Sequence, residues 1–226
     1  MAKIKMGSIV TDMSGKLGGH VYAKNKGGNY VRTKATPSNP QTPAQMSIRG
    51  IFASISSGWS ALTDAGRESF NGFVSSYGRT DIFGDLRNPT GKALYQRLNN
   101  NLAVSDQALL SACVAPIVVP FANLVGANAS VAGADFNAIL DGVTTGSKVL
   151  IFATPSLSKG TKFVKNRLRL VSVSAGSVAA DFDFKSEYVA KFGALTVGAN
   201  IYVGVKVINA NGQASPIETI KAVITA

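Results

Sequence analysis

Hydrophobic and polar positions follow different periods along the chain, and each period predicts a different kind of element. Residues 20–34 alternate on either side of a Gly27-Gly28 pair, which predicts a β-hairpin. Between about residues 43 and 102 the apolar positions recur at helical spacing. From about residue 116 the period returns to two, in short runs separated by glycine-bearing turns. The predicted order is therefore a hairpin, then helices, then strands.

The sequence between about residues 43 and 102 predicts the N-termini of three helices. Thr42-Pro43-Ala44-Gln45 forms a capping box with proline at the first helical position, and Thr63 and Thr90 are the next predicted N-caps. The segment "DIFGDLRNPT" between the second and third helices is predicted to be a connecting loop. The apolar stripes of the three helices are Ile48, Ile51, Phe52, Ile55, Trp59 and Leu62, then Phe70, Phe73, Val74 and Tyr77, then Leu94, Leu98 and Leu102.

The strand-rich stretch contains six predicted strands. They are "ADFNAIL", "SKVLIFAT", "FVKNRLRLVSVS", "GSVAADFDF", "NIYVGVKVINA" and "IETIKAVIT". The segment "SEYVAKFG" is predicted to form either one helical turn or a corner at an edge. The whole chain is predicted to be α+β, with an N-terminal β-hairpin arm and a small three-helix unit followed by an all-β sandwich. The predicted ranges are 1–36 for the arm, 37–110 for the helical domain and 116–226 for the sandwich, with a junction near residues 105–121.

Charge is unevenly distributed. Only 15% of the 226 residues are charged, and the formal net charge is +11. Residues 1–50 contain eight lysines and arginines against the single acid Asp12, so the positive charge belongs mainly to the arm. A surface with few charges and a basic arm favours a protein that works as a multimer or inside a larger assembly.

The arm hairpin carries the strongest interaction signal. We expect Tyr22, Lys24, Tyr30, Arg32 and Lys34 on one face and Val21, Ala23, Val31 and Thr33 on the other. Together with Lys26 in the turn, the basic-aromatic set forms the predicted partner-binding site. Cations with aromatic rings suit nucleic acid, and they suit an acidic protein surface as readily.

A second basic row is predicted in the sandwich. Lys165, Arg167 and Arg169 alternate with Val164, Leu168 and Leu170, which we expect to point inward. Nucleic acid and an acidic protein surface are again both possible partners for this row.

Residues for catalysis or metal binding are scarce. His20 is the single histidine and is expected to be an exposed strand residue, while the single cysteine, Cys113, reads as a small buried hydrophobe. Asp181 and Asp183 share a strand face, but an exposed sheet edge explains them better than an ion site. Neither "SGKLGG" nor "NKGGN" has the spacing of a phosphate-binding loop. We therefore expect no enzymatic activity, no metal and no cofactor.

Targeting signals are not expected either. The first residues, "MAKIKMGSIVTDM", contain no apolar core of a signal peptide, and the longest apolar run, "ACVAPIVVP", is too short for a membrane span. The expected place of synthesis is the cytoplasm.

One segment resembles a known domain family. "IYVGVKVINANGQASP", with alternating Ile201, Val203, Val205 and Val207, is similar to the late strand and following turn of fibronectin type III domains. The family's usual tryptophan in an early strand is missing, because Trp59 lies in the helical part. The resemblance implies an immunoglobulin-like sandwich of the type III-like kind.

A wider resemblance covers most of the chain. The order "GGHVYAKNKGGNYVRTKATPSNPQTPAQMSIRGIFASISSGWSALTDAGRESFNGF", "GKALYQRLNNNL" and "LIFATPSLSKGTKFVKNRLRLV" is similar to poorly characterised virion proteins of tailed bacteriophages and prophages. It implies a structural virion protein, made in the cytoplasm of the bacterial host, that contacts copies of itself and other virion proteins of the portal, neck or capsid. No membrane and no small-molecule substrate is implied.

Several functions stay open at this point. A neck or collar ring between head and tail is the leading expectation, because the N-terminal half suits threading between partners, and a capsid auxiliary or decoration protein is the alternative location. A DNA-binding protein that uses the basic hairpin, with weak and non-specific affinity, is a second hypothesis. A cell-binding or carbohydrate-binding module is the third.

Overall fold

The described part of the chain divides into two compact units. A computed structural model describes residues 2–120, 123–131, 136–140, 143, 146–174 and 181–226. The N-terminal unit contains the described residues of Met1–Arg49 together with Arg79–Arg87, and the main unit contains those of Gly50–Gly78 and Asn88–Ala226. The expected division into arm, helical domain and sandwich as independently folding parts stays a prediction.

Two antiparallel sheets build the N-terminal unit. The larger one has the order β1-β4-β3-β2, from β1 (Ala2–Lys3), β2 (Gly15–Leu17), β3 (His20–Asn25) and β4 (Gly28–Thr33). The smaller one pairs β5 (Arg79–Thr80) with β6 (Leu86–Arg87). The predicted loop "DIFGDLRNPT" thus holds the turn and second strand of a hairpin, which two-residue strands are too short to announce in a sequence pattern.

The helices begin where the sequence predicts. The three are α1 (Pro43–Ala61), α2 (Asp64–Gly72) and α3 (Gly91–Val104). The Oγ1 atoms of Thr42, Thr63 and Thr90 each accept a bond from the amide three residues on, at 3.4, 3.2 and 3.1 Å. Helix α2 ends before the last part of its predicted stripe, so Phe73, Val74 and Tyr77 lie in the turns that follow it.

A cluster of apolar and aromatic side chains joins the helices inside the main unit. Ile55, Phe70, Leu94 and Leu98 are all but inaccessible to solvent. The rings of Phe70 and Tyr95 meet edge to face, with centroids 5.2 Å apart. Burial of these side chains explains why the helical stripes predicted from the sequence face one another.

Two further antiparallel sheets follow the helices. The strands are β7 (Leu124–Ala127), β8 (Asn137–Leu140), β9 (Lys148–Ala153), β10 (Arg169–Val173), β11 (Asp181–Asp183), β12 (Asn200–Ile208) and β13 (Glu218–Val223), and helix α4 (Lys185–Phe192) follows β11. One sheet has the order β10-β9-β12-β13 and the other β11-β8-β7. Residues of both sheets share one buried cluster, in which Phe136, Phe184 and Tyr188 pack ring against ring. The mixed α+β class is confirmed.

The strand predictions differ from the structure in three places. Strand β7 was not predicted, because "LVGA" does not alternate. The predicted strand over 163–174 begins only at Arg169, since residues 165–167 form a turn. The segment "SEYVAKFG" forms the two turns of α4. Parts of two predicted strands, residues 134–135 and 176–180, lie outside the described residues.

The turn between β12 and β13 fastens the sheets to the helices within the main unit. Gln213 is 7% exposed, and its Nε2 donates to Tyr77 Oη at 2.7 Å and to the Ala115 carbonyl at 2.9 Å. Its Oε1 accepts from the Ile117 amide at 3.0 Å. The neighbouring Gly212 has φ +71°, and a Cβ there would lie 2.5 Å from the Leu98 carbonyl oxygen.

We predict that Gly212→Ala destabilises the main unit by about 2 kcal/mol or more. The left-handed conformation alone costs a residue with a side chain roughly 1–2 kcal/mol, and the clash with α3 adds to that cost. Urea unfolding measures the difference. Gly72→Ala is the matched control, because nothing lies within 4 Å of its added Cβ. Equal midpoints for the two variants would contradict the prediction.

Candidate functional site

The predicted arm hairpin forms through a tight turn at Lys26-Gly27. Asn25 pairs with Gly28 across this turn, and the Asn25 Oδ1 accepts from the Gly27 amide at 2.8 Å. Gly28 has φ +101°, a conformation that glycine adopts at little cost. The position and the antiparallel pairing of β3 and β4 agree with the sequence prediction.

The expected distribution of side chains over the two faces of the hairpin is wrong. Residues directly opposite in an antiparallel pair share a face, and Tyr22 lies opposite Val31 while Ala23 lies opposite Tyr30. The two tyrosines therefore lie on opposite faces. A two-residue turn pairs even-numbered positions of β3 with odd-numbered positions of β4, whereas the prediction kept even numbers together.

The corrected faces include the outer strands. Lys3 of β1 lies opposite Tyr30, Lys16 of β2 lies opposite Val21, and Val21 lies opposite Arg32. We call this surface the Arg32 face; it holds Lys3, Lys16, Val21, Ala23, Tyr30 and Arg32. The Tyr22 face holds Ala2, Leu17, His20, Tyr22, Lys24, Asn29, Val31 and Thr33. Both faces combine a tyrosine with at least one cation.

The six predicted partner-binding residues have different surroundings. Tyr22 and Tyr30 are half-buried, whereas the other four, Lys24, Lys26, Arg32 and Lys34, are exposed. Lys24 Nζ lies 3.1 Å from Asp12 Oδ2, so part of its charge is compensated. Within the part of the chain that the structure describes, the side chains of Arg32 and Lys34 have no ion-pair partner.

A buried carboxylate lies at the centre of the N-terminal unit. The Asp81 side chain is 3% exposed, and its Oδ2 lies 3.3 Å from both Lys3 Nζ and Arg87 Nε. Its Oδ1 accepts from the amides of Phe83 at 2.8 Å and Asp85 at 3.1 Å. One side chain thus holds the β5–β6 turn closed and binds it to the first strand of the larger sheet.

These contacts set the acidity of Asp81. Burial alone would raise the pKa of the carboxyl, but the Phe83 amide, the Lys3 ammonium, the Asp85 amide and the Arg87 guanidinium outweigh it and lower the pKa to about 2. The carboxylate is therefore charged at neutral pH.

A second carboxylate extends the cluster. Asp85 lies 3.2 Å from Lys5 Nζ and 3.4 Å from Arg87 Nη2, and the Lys5 ammonium lies 5.3 Å from the centre of the Phe83 ring. A cavity of about 300 Å³ lies beside the cluster and is lined by Lys3, Lys5, Asp81, Phe83 and Arg87 together with the Gly27-Gly28 turn and Asn29. Sequence reasoning missed this cluster because its partners are up to 80 residues apart; the spaced acids of "DIFGD" were its one local signal.

The second basic row is not a strand row. Lys165 and Arg167 lie in a turn closed by a bond from the Arg167 amide to the Val164 carbonyl at 2.9 Å, and Arg169 begins β10. The inward positions agree with the prediction, since Val164 is buried and Leu168 and Leu170 are half-buried. The prediction failed because "KNR" allows a turn that alternation alone does not reveal.

The structure describes two of the residues considered for catalysis, His20 and Cys113, in the surroundings that the sequence predicts. His20 is an exposed residue of β3, as predicted. Cys113 is buried, also as predicted, and burial raises the pKa of its thiol, which opposes nucleophile chemistry. The Asp181 side chain lies outside the described residues. Across the described ranges, no three or more His, Cys, Asp or Glu side chains gather at one point that could hold a metal ion.

Comparison of the chain with protein-family models, with curated proteins and with solved structures found no match. Among the residues that the structure describes, none of the helices has the length and apolar character needed to cross a membrane.

We predict that Asp81→Asn loosens the N-terminal unit. The neutral amide leaves Lys3 and Arg87 without their shared anion, so backbone amides of β1, β5 and β6 should exchange with deuterium faster than in the wild type. Asp12→Asn is the control, because the Asp12–Lys24 pair is more than half exposed and should matter little. Unchanged exchange in Asp81→Asn would show that the cluster is not structural.

The same carboxylate predicts an acid-sensitive step. The pKa of Asp81 is depressed from 3.8 to about 2 on folding, so its stabilisation is complete above about pH 4 and is lost as the pH falls towards 2. Urea titrations followed by the amide signals of β1 and β5 should show a wild-type advantage over Asp81→Asn at neutral pH. The advantage should shrink across that acid window; a gap that is constant with pH would contradict the assignment.

Proposed function

We propose that the protein is a structural virion protein of a tailed bacteriophage, acting through protein–protein contacts as a component of the neck or collar ring between head and tail. The proposal begins from the family resemblance of the sequence. One structural observation carries it further: among the described residues, both clusters of buried hydrophobic side chains belong to the main unit, and the N-terminal unit has none.

A sheet without a core of its own needs a covering surface. None of the large apolar side chains described in the N-terminal unit is fully buried, and several are strongly exposed, among them Leu17, Ile82 and Leu86 at 65%, 78% and 65%. A sheet is stable in water when one face packs against another layer. A neighbouring virion protein supplies such a layer at the neck, and the exposed cations of the Arg32 face attract an acidic surface of that neighbour at range.

We also propose that the region of the two sheets β11-β8-β7 and β10-β9-β12-β13 is a fibronectin type III-like sandwich. Its first, second and fifth strands form one sheet, and its third, fourth, sixth and seventh form the other. Seven strands that divide in this way around one core are typical of immunoglobulin-like sandwiches. The added helix α4 and the lack of a tryptophan in this region depart from the usual pattern.

We predict that deleting residues 1–36 leaves the main unit folded and abolishes incorporation into particles. The deletion removes β1 to β4 and with them the surface that is proposed to dock. Phages complemented with the truncated gene are purified, and the amount of the protein in the particles is measured. Incorporation at full occupancy would overturn the role of the arm, and absence of the wild-type protein from particles would overturn the virion proposal.

Location and charge are tested in the same particles. Density in a ring at the neck supports the proposal, whereas copies spread over the shell support the alternative, a capsid auxiliary or decoration protein. Arg32→Ala with Lys34→Ala should weaken docking relative to the wild type more at low salt than at high salt, because high salt already screens the attraction that the variant lacks. Lys92→Ala with Lys221→Ala removes the same charge from exposed positions of the main unit and should dock normally.

A further inference from the structure

The segment between β9 and β10 carries an unusual concentration of positive charge. From Thr154 to Ala180 the sequence has five cations, Lys159, Lys162, Lys165, Arg167 and Arg169, and no carboxylate. We call residues 158–168 the basic loop. In the part of the chain that the structure describes, no acidic side chain forms an ion pair with any of these five.

The backbone of the basic loop is held by the sheet beneath it. Tyr202 Oη donates to the Thr161 carbonyl at 3.0 Å, and Asn200 Nδ2 donates to the Lys159 carbonyl at 3.3 Å. Val164 is buried, and Leu168 lies 3.5 Å from the point where a Cβ on Gly204 would stand. These anchors fix the loop before any partner arrives, which lowers the entropy cost of binding.

The anchored loop presents an aromatic ring to solvent. Phe163 is 69% exposed although its neighbour Val164 is buried. Lys162 and Lys165 flank these two residues and are exposed, as are Lys159 and Arg167. Arg169 instead stabilises the end of the loop, because its Nη1 donates to the carbonyls of Asn166 and Leu168 at 2.9 Å each. Four cations and one ring are thus available to a partner.

We propose that the basic loop binds a single strand of nucleic acid, with phosphates at Lys159, Lys162, Lys165 and Arg167 and one base stacked on Phe163. Cations that follow a backbone and a ring that stacks on a base are the two elements of sequence-tolerant single-strand binding. A duplex offers no free base face to the ring, so the single strand fits better. The inference goes beyond the proposed virion role and does not depend on it.

Other partners fit the basic loop less well. Phe163 is the sole strongly exposed large hydrophobic side chain of the described residues between 154 and 174, which is little apolar surface for insertion into a membrane. A second copy of the chain is a poor counterpart, because it has 23 cations and only 12 carboxylates. An acidic protein would compensate the lysines but leaves the exposed ring unexplained.

The test uses the full chain and a short, fluorescein-labelled oligothymidylate, with binding followed by anisotropy over a range of salt. Phe163→Ala should weaken binding by roughly 5- to 150-fold at one salt concentration, the equivalent of losing one stacked base. It should leave the salt dependence unchanged, because no charge is removed. Phe163→Trp should bind at least as well as the wild type, since stacking is restored.

Charge is tested separately from stacking. Lys162→Ala with Lys165→Ala should reduce the slope of log affinity against log salt by about 1.4, since each phosphate contact contributes about 0.7 on a single strand. Lys92→Ala with Lys221→Ala is the charge-matched control and should change the slope much less. Arg32→Ala with Lys34→Ala reports any contribution of the arm and should leave the effect of Phe163→Ala intact.

Three outcomes would overturn the inference. Equal binding by the wild type and Phe163→Ala would remove the stacked base. Phe163-dependent binding to phosphatidylglycerol vesicles without such dependence on the oligonucleotide would indicate a membrane surface. Phe163-dependent binding to polyglutamate that exceeds binding to the oligonucleotide would indicate an acidic protein partner.

Discussion

The side-chain amide of Gln213 is the contact on which the main unit depends. A single buried group joins the β12–β13 turn, the segment after α2 through Tyr77, and the stretch that leads from α3 to the sheets through Ala115 and Ile117. A buried amide whose oxygen and nitrogen are both hydrogen-bonded fixes the relative positions of its partners, because any shift leaves a polar atom unpaired at a cost of about 1–3 kcal/mol. Asn101 Nδ2 adds a bond to the Gly212 carbonyl at 2.7 Å. Apolar packing brings helices and sheets together, and this polar contact fixes how they meet.

The N-terminal unit is stabilised in a different way. Ion pairs around Asp81 and Asp85 are among its long-range contacts, and none of its described apolar side chains is fully buried. Lys3 and Arg87 meet a buried carboxylate, so their contacts are stronger than those of the exposed Lys24–Asp12 pair. Ion pairs of this kind set the register of strands precisely but supply less stability than a hydrophobic core. Within the described residues, the chain thus combines a main unit that has a hydrophobic core with a sheet whose apolar side chains all remain at least partly accessible.

Local signals predicted much of this fold, and long-range contacts could not be predicted. The caps at Thr42, Thr63 and Thr90 were read correctly, because a cap is decided within four residues. The turn of the arm hairpin was also located, but its faces were not, since a register depends on which residue pairs with which across the turn. The Asp81 cluster joins segments 78 residues apart, and no local pattern records such a pairing. The row Lys165, Arg167 and Arg169 was noticed by its charge but predicted as a strand, because alternation alone does not reveal the turn at residues 165–167. The exposure of Phe163 could not be predicted, because it depends on how the loop packs on the sheet beneath it.

The two basic surfaces differ in how much of their structure exists before binding. The basic loop is anchored by Tyr202 and Asn200 and rests on a closed core, so a partner meets a surface that is already formed. The Arg32 face belongs to a sheet without a core, so a partner that covers it would also stabilise it. The proposed binding at the basic loop would therefore order the chain little, whereas the proposed docking at the Arg32 face would couple assembly to the folding of the arm. If both proposals hold, the protein would bind one partner through charge and stacking, and would dock on a second partner only where a complementary layer completes the sheet.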